Sequence, residues 1–185
     1  MSEIASKQQL RLAFLRWAAV TVPLILLLGF TSARLAPTGS RNAWYAALVK
    51  PALTPPDLAF PGAWTVIYIL LGLALAMILH ARGSRLRGPA IALFVLQLLV
   101  NLTWSPVFFG MHAVTPALGI VGAMLILTLA MAYVFSRIRV VAALLLVPYL
   151  AWLLFAFYLN AAIIDLNPGA ETLAPSASTT QIITH

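Results

Sequence analysis

VVAALLLVPYLAWLLFAFYLNAAII, residues 140–164, carries no charged side chain over 25 positions. As a helix rising about 1.5 Å per residue it reaches about 38 Å, enough to cross a hydrocarbon core of roughly 30 Å. Three further charge-free runs precede it, 58–79, 88–109 and 114–135, each of 22 residues, and a shorter one spans 17–33. None shows the alternating pattern of an outer-membrane strand. The fold class expected is therefore an all-α membrane protein, a bundle of five transmembrane helices.

Composition agrees. The 185 residues are 63% hydrophobic and 8% charged, with mean hydropathy +1.01. A soluble domain carries about a quarter charged residues. The net charge of +7 would suggest nucleic acid in a soluble chain. Here the basic residues flank apolar runs, so they read as membrane anchors and no nucleic-acid partner is expected. There is no cysteine, and the three histidines (His80, His112, His185) lie far apart in sequence. Neither thiol chemistry nor a metal site is expected.

Charge bias gives a topology. The N-terminal segment and the second and fourth loops carry eight basic residues (Lys7, Arg11, Arg16, Arg82, Arg85, Arg87, Arg137, Arg139), against three (Arg34, Arg41, Lys50) on the other side. For an inner membrane this places the N-terminus in the cytoplasm and the first loop outside; an outer-membrane location stays open. Residues 1–16 read as a basic extension, 17–166 as the membrane domain and 167–185, rich in Ser, Thr, Ala and Pro, as a disordered tail. The run ending in TSA at 31–33 also resembles a secretory signal; a retained first helix is preferred to a cleaved one.

The span interiors hold aromatic rings and amides in place of charges. Trp64, Tyr68 and Gly72 share one face of the second span. NLTWSPVFFG (101–110) puts Asn101, Trp104 and Phe108 on one face of the third. Asn101 needs a partner in an apolar setting, and an interhelical hydrogen bond is the plainer role. Pro106 removes a backbone donor and is expected to kink its helix. In the fifth span Tyr149, Trp152, Ala156 and Asn160 recur at helical spacing. Such a stripe reads first as core, but the small Ala156 leaves a hollow between Trp152 and Asn160, while Phe155 and Tyr158 face lipid. Gly119 and Ala123 have the spacing of close helix packing or dimer contact. His80 and His112 read as interfacial. With no intramembrane charge, carboxylate pair, nucleophile–base set or phosphate loop, ion-coupled transport lacks its usual parts. An aromatic and amide lining suits a large, flat, mostly apolar ligand.

Four stretches occur in order: WYAALVKPALTPP (44–56), AWTVIYILLG (63–72), NLTWSPVFFG (101–110) and PYLAWLLFAFYLN (148–160). Together they resemble the TspO/MBR family of translocator proteins, tryptophan-rich sensory proteins and peripheral benzodiazepine receptors, in its bacterial branch. The resemblance implies a five-helix bundle, commonly a homodimer in the bilayer, that binds porphyrins, haem-related tetrapyrroles and sterol-like apolar ligands, with no obligatory cofactor. It implies a lid from the first loop, stiffened by Pro51, Pro55 and Pro56 and carrying Lys50, with Trp44 and Tyr45 against the ligand. It places pocket residues at Trp64, Asn101, Trp104, Trp152, Ala156 and Asn160, and the shared helix faces add Tyr68 and Tyr149 as ligand-binding candidates. Two departures stand out. No Lys or Arg follows Tyr158 through Asn167, so the animal pattern of sterol recognition is incomplete, and Leu102 stands where some members have tryptophan. A binding sensor or regulator is the preferred function. Light-dependent porphyrin degradation, with Trp64 and Trp152 as candidate catalytic residues, comes next, then facilitated transport, then a scaffold.

Overall fold

The computed structural model describes residues 7–173. Its α-helices are α1 (Lys7–Ala33), α2 (Ala43–Ala47), α3 (Ala59–His80), α4 (Arg87–Ser105), α5 (Val114–Ser136), α6 (Val140–Leu144) and α7 (Val147–Leu166). Five stretches are long and apolar enough to span a membrane: α1, α3, α4 with the turn that follows it, α5, and α6 with α7. The protein is a multi-pass, all-helical membrane bundle.

Around the bundle, α1 packs most extensively on α3, α3 touches α6, α6 and α7 lie on α5, α5 on α4, and α4 closes back on α1. In lipid the apolar effect does not drive helices together, so close packing and interhelical hydrogen bonds must. The sequence supplies small residues where helices meet. Ala74, Ala76, Ala90, Ala117 and Ala142 are all 0% exposed. At Gly72 an added Cβ would lie 2.7 Å from the Cα of Val22, and the Thr21 hydroxyl donates to the Gly72 carbonyl at 2.8 Å. Gly72 thus serves the α1–α3 contact. Gly29 does the reverse: the ring of Tyr68 lies over it, 2.2 Å from where a Cβ would stand. Away from the first loop, Ile78, Phe94, Met131, Phe135 and Leu146 form a close-packed core. Outward, Leu27, Ile126 and Leu154 are exposed, as a lipid-facing surface requires.

Several boundaries differ from the sequence reading. α1 begins at Lys7, so residues 7–16, expected to be an extension, continue the first helix. Basic side chains are good helix formers and end a membrane run without ending its helix. The fifth span breaks at Leu145 and Leu146, because Pro148 cannot donate to the carbonyl one turn back. Pro106 does more than kink: α4 gives way to a π-helical turn, Pro106–Gly110, closed by the Met111 amide on the Pro106 carbonyl at 3.0 Å. Such widened turns concentrate at functional sites. Gly119 and Ala123 are exposed, and nothing among the described residues lies within 4 Å of a Cβ built at Gly119. The start of the expected tail, 167–173, is ordered against the first loop, while 174–185 lie outside the described residues.

Candidate functional site

At the loop end the helices diverge around a cavity of about 550 Å³, within the range of roughly 300–1,000 Å³ that holds a drug-sized ligand. Phe60, Trp64 and Tyr68 come from α3, Asn101, Trp104 and Ser105 from α4, and Ala156, Leu159 and Asn160 from α7. The π-turn adds Phe108 and Phe109. The rings brace one another. Trp64 stacks on Tyr68 at 5.2 Å between centroids and Trp104 on Phe108 at 5.1 Å. They form rigid, flat walls of the kind that suit a flat apolar guest.

Below the cavity lies a smaller void of about 20 Å³, walled by Trp64, Trp104, Trp152 and Ala156 among others. Ala156, with Phe60, Trp64 and Trp104, borders both cavity and void, and Trp152 lines only the void. Trp152 still stands 6.3 Å from Trp64, edge to face. Tyr149 lines neither space. It sits beneath Trp64, 6.2 Å away, where its hydroxyl accepts from the amides of Gln97 and of Asn101, the latter at 2.7 Å. The Tyr68 hydroxyl reaches Asn101 Oδ1 at 3.4 Å. Asn101 thus both makes the interhelical bond and lines the cavity. Gln97 was not singled out from sequence, although an amide four residues before Asn101 on one helix face was a readable signal.

One group of polar atoms at the cavity lacks partners. Trp104 Nε1, Ser105 Oγ, Asn160 Oδ1 and Thr54 Oγ1 are buried and bond nothing among the described residues, although all four residues line the cavity. The other end of the Asn160 amide is used, donating to the Val114 carbonyl at 2.8 Å. Each buried orphan costs about 1–3 kcal/mol, and native proteins keep few of them.

The first loop divides in two. In α2, Asn42 caps the helix through the Tyr45 amide at 3.0 Å and donates to the Phe109 carbonyl at 2.9 Å. Tyr45 lines the cavity, 5.3 Å from Phe109. Burial raises the pKa of its hydroxyl, with a smaller contribution from the charge of Asp57. Trp44, expected against the ligand, faces the other way and is absent from the cavity wall. It is 1% exposed, stacks on His112 at 4.5 Å, and donates its indole N–H to the Ala170 carbonyl at 2.7 Å. The Asn167 amide grips both the N–H and the C=O of Val49 at 2.8 Å. Trp44 is thus the anchor of the lid and not its plug, and the ordered start of the tail is what it anchors to.

Lys50 is also turned from the cavity. Its ammonium caps the Ala46 and Leu48 carbonyls and lies 4.8 Å from the Tyr45 ring centroid. Pro51, Pro55 and Pro56 stay outside the lining and carry Thr54, Asp57 and Leu58, which belong to it. The second half of the lid is stapled at its edge: Asp57 accepts the Ser40 amide at 2.9 Å. The Ser40 side chain first, then that amide bond, then the charges of Lys50 and Arg41 hold the Asp57 carboxyl below its ordinary 3.8. Gly39 makes the staple possible, since its φ is +63° and a Cβ there would stand 3.0 Å from the carboxyl carbon. The rim is completed by Arg34 and Arg41, which the sequence reading had spent on topology alone.

Comparison with known proteins agrees with this architecture. The model of the TspO/MBR family matches residues 19–166. Among curated relatives, Tryptophan-rich protein TspO of Chlorobaculum tepidum is 40% identical over 154 residues, covering 81% of this chain and 95% of the relative. Tryptophan-rich sensory protein of Cereibacter sphaeroides is 39% identical over 126 residues, covering 68% and 78%. Translocator protein of Homo sapiens is 32% identical over 155 residues, covering 75% and 88%. The match runs from within the first membrane-spanning helix to the end of the last and takes in every wall of the cavity, and the chain belongs to the TspO/MBR family.

Proposed function

We propose that this protein is a membrane receptor for a tetrapyrrole of the porphyrin or haem-related class, acting as a sensor or regulator. The observation that carries the reading is the cavity: about 550 Å³, walled by stacked indole, phenol and phenyl rings, with four orphaned polar atoms on its lining residues. A flat macrocycle fits stacked rings, and its nitrogens and substituents offer the donors and acceptors that those atoms lack. The Lys and Arg bias favours an inner-membrane location with the N-terminus cytoplasmic and the lid outside. The test is a titration of the purified protein with protoporphyrin in the dark, followed by tryptophan fluorescence. Saturable quenching at a fixed stoichiometry supports the reading; unsaturable, linear quenching by a folded protein refutes it.

A second reading, light-dependent degradation of the bound porphyrin, draws on one observation. Trp64, on the cavity wall, lies within 6.3 Å of the rings of Tyr68, Tyr149 and Trp152. Those rings are oxidisable and closely spaced, so an excited macrocycle stacked on Trp64 would draw an electron from them and pass it to dissolved dioxygen, the oxidant that ring breakdown consumes. Illumination with product analysis tests it: loss of porphyrin that slows in Trp64→Phe and Trp152→Phe supports it, and equal rates with and without protein reject it.

A further inference from the structure

The walls of the cavity are apolar, but its mouth is not. Arg34 and Arg41 both line the mouth and both are exposed. No hydrogen bond or ion pair holds either guanidinium among the described residues. The remaining charge on the lining is Asp57, whose carboxylate already accepts the Ser40 amide and lies in the field of Arg41. The mouth is therefore cationic by one charge, above a chamber that offers none.

Lys50 cannot share this role as it stands, because two backbone carbonyls and the Tyr45 ring engage its ammonium. Arg34 follows the last turn of α1, where a cation also suits the negative end of the helix. That accounts for a positive residue there. It does not account for two guanidinia free of hydrogen bonds and ion pairs at the mouth of one cavity, and guanidinium is the side chain whose fork matches a carboxylate.

We propose that the ligand is an amphipathic organic anion, seated with its ring system between the aromatic walls and its carboxylates at the mouth, held by Arg34 and Arg41. This deepens the tetrapyrrole reading and rests on it: protoporphyrin has two propionates on one edge of a flat apolar disc. The arginines then select charged tetrapyrroles over their neutral esters and set which edge of the ring points out. The same two residues would also attract lipid phosphate, so the experiment must separate a ligand carboxylate from the headgroup.

The measurement compares protoporphyrin with its dimethyl ester on the full chain in an uncharged detergent. Proteins are wild type, Arg34→Gln, Arg41→Gln, the double variant, and Lys50→Gln as a control outside the cavity. Wild type is expected to bind the diacid about five- to tenfold more tightly than the ester, from two exposed Arg–carboxylate pairs of about two- to threefold each. That preference should fall with added salt. It should vanish in the double variant while ester affinity and melting temperature hold, and persist in Lys50→Gln. Equal binding of diacid and ester to wild type, or equal weakening of both in the double variant, overturns the role of the arginines and leaves the tetrapyrrole reading intact. A preference that appears only in anionic-lipid nanodiscs and not in detergent assigns the arginines to the headgroup and also overturns it. Binding of neither compound by folded wild type overturns both proposals together.

Discussion

One turn apart on α4 lie two sets of polar side chains with opposite fates. Gln97 and Asn101 are pulled inward, their amides converging on the Tyr149 hydroxyl. Trp104 and Ser105, the next turn toward the loop, have a buried indole N–H and hydroxyl with nothing to bond among the described residues. The inner set is a closed interhelical network with a single loose end, Gln97 Oε1. The outer set is open. In an apolar solvent a closed network ties helices into one register, because any slip strands its members. An open set adds no such tie and carries a standing cost, which a ligand or water can remove. Polar side chains of one helix therefore build structure in one turn and leave a site in the next.

The largest effect should come from breaking the inner set. Tyr149→Phe leaves two amide donors without their acceptor in a fully buried place, and about 2–4 kcal/mol of stability should be lost. A lowered midpoint of thermal unfolding in detergent, with helix content intact at low temperature, is the expected record. A midpoint equal to wild type would mean the network ties nothing.

Filling the outer space should do the opposite. Ala156→Phe sends a ring into the cavity and the small void beneath it. Porphyrin affinity should fall more than tenfold, while the melting temperature stays level or rises because empty volume is occupied. Isothermal titration beside a melting curve separates the two quantities.

Trp104→Phe sharpens the contrast on one residue. It deletes an N–H that has no partner, so stability should change by less than about 1 kcal/mol or improve. Ligand affinity should fall severalfold, since both the stack with Phe108 and a free donor are altered. Stability loss as large as that of Tyr149→Phe would place Trp104 in the structural set.

The smallest effect concerns the lid staple. A carboxyl held below its ordinary 3.8 stabilises the folded loop at neutral pH, and that contribution is lost as pH falls past 3.8 and through the lower folded value. Exchange of the Ser40 amide, corrected for its intrinsic rate, should therefore quicken in acid. In Asp57→Asn it should already be faster at neutral pH, and the acid-dependent step should disappear.

The sequence made the helix count plain, because hydropathy over 22-residue windows is a strong signal and nothing competes with it. It also placed the cavity on Trp64, Trp104, Ala156 and Asn160, all on its lining. What it hid depended on contacts distant in the chain. The direction of Trp44 is decided by Ala170, 126 positions away. The lining role of Arg34 and Arg41 follows from how the loop returns over α3, while their sequence context speaks only of the membrane surface. Tyr149 and Asn101 were candidates for both pocket and packing; the convergence of Gln97 puts Tyr149 in the core, while Asn101 bonds between helices and also lines the cavity. Nothing in the sequence marks Gly29 as the place where the Tyr68 ring rests.

The most direct test of the central claim is a single titration, protoporphyrin into wild type and into Ala156→Phe, read by tryptophan fluorescence with melting curves on the same samples. The structure predicts saturable binding to wild type and more than tenfold weaker binding to a variant that melts no lower. Equal affinity in the two proteins would put the ligand outside the bundle and leave the cavity without its proposed occupant.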